Sequence, residues 1–193
     1  MNKNTSKLIK ISLLSAIAII LMYFDFPIIP AFAWLKIDLS DVPALIGAFG
    51  FGPIAGVLIE LIKNLLIPLV KGSPTGFVGE IANFLIGVSL ILPASFIYYR
   101  NKSKKNAILG MVTGGAIMEI VGIVANVYFL LPVYGMKMPA DVLQNYIWAL
   151  LAFNGIKALM VSVLTYVLYK RVSVSIFNVA PNFGSTGSET KTI

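Results

Sequence analysis

The sequence predicts an all-α membrane protein of six transmembrane helices, with both termini cytoplasmic and an irregular first outer loop roofing a cavity. Three observations predict this. Of 193 residues, 58% are hydrophobic and only 12% charged, whereas soluble domains carry about a quarter charged residues. The apolar residues fall in runs near the ~20 residues needed to cross a hydrocarbon core of about 30 Å. The basic residues cluster between alternate runs, as the positive-inside rule requires.

Helix 1 is expected at 7–25, after Lys3, Lys7 and Lys10. It resembles a signal peptide but has no small-residue cleavage site at its end, so it is expected to be retained. The apolar region 42–70 is interrupted by FGFGP at 49–53. Glycine tolerates turn geometry and proline suits the first turn of a helix, so Gly50, Gly52 and Pro53 predict a break between helix 2 (41–51) and helix 3 (53–70). Helices 4, 5 and 6 follow at 78–99, 107–131 and 145–169.

Six helices place ten of the 15 basic residues inside: Lys3, Lys7, Lys10, Arg100, Lys102, Lys104, Lys105, Lys170, Arg171 and Lys191. Lys36, Lys71 and Lys137 lie outside, and Lys63 and Lys157 within spans. Five helices would turn the RNKSKK loop outward, against the rule. Helix 2 covers only about 16 Å, half of the hydrocarbon thickness. The preceding DFPIIPAFAWLKIDLSD (25–41) is therefore expected to dip in from outside, which irregular backbone tolerates only against protein or a cavity. Residues 1–171 form one six-helix domain in this reading, and 172–193 a polar, disordered cytoplasmic tail.

Composition also removes function classes. With no cysteine and no histidine, disulfides, thiolate metal sites and the usual general base are excluded, and neither a metal nor a cofactor is expected. No G-x-x-x-x-G-K-[ST] loop is present, so powered transport requires a separate ATPase. The net charge of +7 follows membrane topology and does not mark a nucleic-acid surface. A Ser-Lys enzyme built on Ser162 and Lys157 is disfavoured, because a five-residue helical spacing points them to different faces.

Charged and amide side chains inside spans are functional candidates by default. Glu60 and Lys63 share a face of helix 3 and favour a structural ion pair. Glu119, midway along helix 5, has no local partner, and pairing with Lys63 or a small polar cluster is expected. Within LLAFNGIKALMV (150–161), Asn154 and Lys157 share a face nine to twelve residues below the outer surface. Asn126 on helix 5, and Glu80 with Asn83 on helix 4, converge on the same outer half. Inter-helix hydrogen bonding is the plain alternative, and ligand contact is favoured for Asn126, Asn154 and Lys157. In GSPTGFVGE (72–80), Gly79 allows close approach to the start of helix 4, whose N-terminus suits polar oxygens as well as a simple turn. Ser12 and Ala16 make a small-x-x-x-small pair on helix 1. Trp34 and Trp148 suit interfacial anchoring.

Together, WLKIDLSDVPALIGAFGFGPIAG (34–56), the KN of LIELIKNLL (58–66), GFVGEIANFLIG (76–87) and FNGIK (153–157) resemble the substrate-binding S components of energy-coupling factor transporters, particularly the riboflavin-specific type. The resemblance spans about residues 7–171. It implies a vitamin-binding subunit that works with a transmembrane coupling protein and two ATPases, with the first loop as lid and helix 1 docking the coupling protein through Ser12 and Ala16. The familiar alanine pair is not cleanly present. The resemblance also implies that Asn126, Asn154 and Lys157 hold the polar edge of the isoalloxazine ring. Phe153 and Leu35 are suited to packing on its faces, and Glu80, Asn83 and the loop around Gly79 to meeting the ribityl hydroxyls. No phosphate-binding arginine pair occurs in this half, favouring the free vitamin. Thiamine or biotin as ligand, or a self-sufficient carrier, are the alternatives; a carrier should show paired broken helices, and only one interrupted region is visible.

Overall fold

In the computed structural model, which describes residues 3–177, the chain is almost entirely helical. Helix α1 (Lys3–Tyr23) leads into loop 1, followed by α2 (Asp41–Phe51), α3 (Pro53–Lys71) and α4 (Val78–Arg100). Helix α5 begins at Lys104 as regular α-helix, widens into a π-helical stretch at Ala125–Leu130, and closes with one more α turn to Val133. Helix α6 runs Ala140–Phe177. Among the described residues, five helices are long and apolar enough to cross a membrane, and α2 is a shorter apolar helix.

The break between α2 and α3 lies where the glycines and proline predicted it. Gly52 adopts φ 108°, which disfavours a side chain, and its N–H returns to Ala48 O at 3.0 Å to close α2. Pro53 then opens α3. Nine of the eleven residues of α2 are buried, so this short helix is the axis of the bundle and not a lipid-facing span. Its partners include Leu14 and Ala18 of α1, Ile59 of α3, Ile91 of α4 and Val161 of α6 in one apolar core.

Helices α4 and α5 approach closely along Gly110 and Gly114, where an added Cβ would strike the backbone of Ala94 and Leu90. This four-residue spacing of small residues lets two helices touch without side chains between them. At the opposite end from loop 1, Tyr98 and Tyr169 share a hydroxyl contact at 3.2 Å, and Tyr169 OH donates to Phe49 O at 3.3 Å.

Loop 1 has structure of its own. Strand β1 (Phe26–Pro27) pairs antiparallel with β2 (Lys36–Ile37), and a 3₁₀ turn at Pro30–Phe32 lies between them. Leu35, Ile37, Asp38 and Ser40 are buried, so the second half of the loop descends into the bundle above the short α2, as expected. Asp25, at the loop's entrance, is held by Lys71 at 2.6 Å and Lys36 at 3.5 Å.

Helix ends differ from the sequence expectation. Helix α1 starts at Lys3, α5 covers Lys104–Val133, and α6 starts at Ala140 and continues to Phe177. The turns added at the starts of α1 (KNTS, 3–6) and α5 (KKN, 104–106) are polar, and hydropathy does not register them. At the start of α5, Ser103 Oγ also accepts the Asn106 N–H at 3.2 Å. Residues 178–193, most of the expected tail, lie outside the described residues.

Candidate functional site

Loop 1 and helices α4, α5 and α6 enclose a cavity of about 130 Å³ whose walls include Leu35, Gly79, Asn83, Asn126, Phe153, Asn154 and Lys157. A second cavity of about 280 Å³ adjoins it, sharing Trp34, Lys36, Thr75, Gly79 and Asn83, and Glu80 lines this one. The structure thus gathers all eight sequence-predicted ligand residues around two neighbouring spaces.

Each polar group is fixed differently. Asn126 sits on the π-helical stretch of α5, a backbone form enriched at functional sites. Its Nδ2 donates to Gly122 O at 2.8 Å, and its Oδ1 accepts from Tyr146 OH at 2.9 Å. Tyr146 OH also accepts from Trp34 Nε1 at 3.2 Å. Loop 1, α6 and α5 are therefore joined by one hydrogen-bond chain ending at Asn126. Phe32 and Trp34 pack on the Tyr146 ring at centroid distances of 4.9 and 6.0 Å.

Asn154 is 1% exposed. Its amide lies against Gly122, where a methyl group would collide with it, and its Nδ2 has no hydrogen-bond partner among the described residues. Asn83 Oδ1 is likewise buried and, among the described residues, without a hydrogen-bond partner. Orphaned polar atoms in a cavity wall are groups that a ligand can satisfy.

Lys157 does not stand alone. Its ammonium pairs with Asp38 Oδ2 at 3.3 Å and Asp41 Oδ2 at 3.1 Å. Asp41 also pairs with Lys63 through its other oxygen, and Lys63 in turn contacts Glu60 at 2.9 Å and donates to Ser40 Oγ at 2.7 Å. Asn64 Nδ2 donates to Glu60 O at 2.9 Å. Three carboxylates and two ammonium groups form one buried network joining loop 1, α2, α3 and α6. Buried charges persist when paired and hydrogen-bonded in this way.

The Glu60–Lys63 pair agrees with its expectation. Glu119 does not: Lys63 is taken by Asp41, Glu60 and Ser40, while Glu119 lies against Gly155 and its Oε2 is without a partner among the described residues. At the start of α4, loop hydroxyls already occupy backbone donors. Gly79 N–H donates to Thr75 Oγ1 at 3.1 Å and Phe77 N–H to Ser73 Oγ at 2.7 Å. Those hydroxyls also donate to Glu80 Oε2, at 3.1 and 3.0 Å, so the 72–80 loop holds Glu80 in place at the cavity edge.

Trp148 is 65% exposed, as an interfacial residue should be, whereas Trp34 belongs to the site. Ser12 and Ala16 lie on the exposed face of α1, away from the core face of Leu14, Ser15 and Ala18. Sequence reasoning missed Asp38, Asp41, Tyr146, Ser73 and Thr75. A signal existed for the two aspartates: a pair of acids three residues apart in an otherwise apolar stretch needs cations, and Lys63 and Lys157 were the intramembrane cations in hand. Tyr146 gave none, since tyrosine near a span end is ordinary.

A buried cation, two amide atoms without partners among the described residues and an aromatic-roofed cavity on one side of an apolar helical bundle define a small-molecule binding membrane protein. The chain belongs to the substrate-specific components of energy-coupling factor (ECF) transporters, whose family model matches residues 6–169. It is 40% identical over 177 residues to the riboflavin transporter RibU of Staphylococcus aureus strain TCH60, covering 89% of this chain and 92% of that one. It is 35% identical over 170 residues to the riboflavin transporter FmnP of Bacillus subtilis strain 168, covering 84% and 90%. A solved structure described as the S component of a bacterial ECF transporter superposes with a TM-score of 0.79 at 38% identity, covering 90% of this chain and 99% of that one. With its apolar helices and bacterial relatives, this is a multi-pass protein of the prokaryotic cell membrane.

Proposed function

We propose that this chain is the riboflavin-binding subunit of an ATP-driven ECF importer, capturing the free vitamin with high affinity from the outer side. The observation that carries this reading is the cavity where Asn126, Asn154 and Lys157 meet, in a chain aligned over most of its length with riboflavin transporters. The amides and the ammonium complement the carbonyl and imide atoms on one edge of an isoalloxazine ring. Phe153 and Leu35 supply apolar contact, and Glu80 and Asn83 face the adjoining space, where a ribityl chain finds hydroxyl partners.

In this proposal the six-helix bundle crosses the membrane six times, the descending half of loop 1 and α2 together making one crossing, both termini are cytoplasmic, and loop 1 closes the outer mouth. The exposed Ser12–Ala16 face of α1 docks a transmembrane coupling protein, which two ATPase subunits drive. The chain itself performs no catalysis and carries no cofactor; riboflavin is its cargo.

The test is direct. Protein purified in detergent from cells grown with riboflavin should be yellow. After stripping, it should quench added flavin fluorescence with an end point near one flavin per chain. Colourless protein that ignores riboflavin would move the cargo to another vitamin. Because no native cysteine exists, topology is testable with single cysteines. Ser103→Cys should resist an impermeant thiol reagent in intact cells, whereas Met136→Cys should react.

A further inference from the structure

Lys157 gathers carboxylates from two separate parts of the chain, Asp38 of loop 1 and Asp41 at the start of α2. Among the described residues, no further hydrogen-bond or ion-pair partner of Lys157 is found. An ammonium has three N–H donors, so one remains, and Lys157 lines the cavity. Asp38 is itself anchored, because its Oδ1 accepts the Ser40 N–H at 2.7 Å. Its carboxylate therefore moves with the loop backbone. The loop's other ion pairs, through Asp25, involve part-exposed lysines, and solvent weakens such pairs. Asp38–Lys157 is the buried ionic tie between loop 1 and α6.

We propose that Asp38 is a positioning residue for ligand capture: the ion pair couples closure of loop 1 to the aim of the Lys157 ammonium. With the loop down, two N–H groups are held by carboxylates and the third is presented to the cavity. With the loop lifted, Asp38 leaves, and the ammonium is free to turn toward Asp41. This inference rests on the ligand-binding reading above.

The test uses the full chain in detergent, riboflavin as probe, and Asp38→Asn, which keeps the acceptor for Ser40 while removing the charge. Stopped-flow fluorescence should show dissociation faster by about tenfold and association altered by less than roughly threefold, since loss of a closing contact acts mainly on the off-rate. In ligand-free protein, trypsin should cut after Lys36 roughly fivefold faster, because cleavage follows the population of the open loop. Lys157→Gln should accelerate that cut equally, and the double variant should add nothing, the signature of one shared interaction. Unchanged dissociation, unchanged cleavage, or additive effects in the double variant would overturn the proposal. Should Asp38→Asn fail to fold, cleavage of Lys157→Gln decides alone. A parent that binds no riboflavin would sink the cargo assignment, and the Lys36 cleavage would still decide whether Asp38 holds the loop.

Discussion

Replacing Gly122 by alanine tests the site without touching any polar residue in it. The new Cβ would overlap Asn154 Nδ2 and lie 3.0 Å from Cγ and 3.3 Å from Oδ1. Those distances are too short for packed atoms, and Asn154 is 1% exposed with little room to retreat. The amide must shift or rotate, which misplaces its hydrogen-bonding edge relative to Asn126 and Lys157. Leaving a polar ligand atom without its partner costs about 1–3 kcal/mol, or roughly five- to 150-fold in Kd. Titration of stripped protein by flavin fluorescence quenching reads this directly. The buried ion network should remain intact, so thermal stability should fall by far less than binding does. Binding within about twofold of the parent would mean that Gly122 does not hold the Asn154 amide in the occupied site, and the geometric argument would collapse.

Lys63→Met removes the cation of two buried carboxylates, Asp41 and Glu60. Breaking a buried pair from one side destabilises by about 3–5 kcal/mol, so unfolding in detergent should shift strongly and Glu60→Gln should recover part of the loss; a wild-type unfolding curve would contradict the network. Tyr146→Phe deletes the hydroxyl between Trp34 and Asn126 and should weaken flavin binding by about 1–2 kcal/mol, while unchanged affinity would show that the chain does not orient Asn126. Trp148→Ala, by contrast, alters an exposed side chain and should leave the flavin Kd unchanged in the same titration.

The parts of the fold legible in the sequence were those with a local physical cause. Gly52 and Pro53 marked the α2–α3 break because the chain turns there through a conformation few residues adopt. The three-residue spacing of Asn154 and Lys157 put both in one wall, as helical periodicity requires. What remained hidden was non-local or concerned backbone form. Hydrophobicity gave no sign that α5 widens around Asn126, yet that stretch positions the residue's amide between Gly122 and Tyr146. The partners of Lys157 lie more than a hundred residues away in sequence, and although KIDLSD was expected to dip into the membrane, nothing local to it shows which cations its acids meet.

The depth of α2 explains why a lysine can sit in the apolar LLAFNGIKALMV stretch at all. A full-length second helix would begin at the outer surface and leave any acid in its first turn in water. Eleven residues cover only about half the hydrocarbon core, so α2 begins deep in the bundle, and its first residue is Asp41, fully buried. Loop 1 must descend to reach that start, which brings Asp38 to the same level. The positive end of the α2 dipole favours the Asp41 carboxylate, and the two acids together compensate Lys157. The short helix, the descending loop and the buried cation are thus mutually dependent. Lengthening α2 by a turn at its N-terminus would strand Lys157, whereas removing Lys157 would strand Asp38 and leave Asp41 to Lys63 alone.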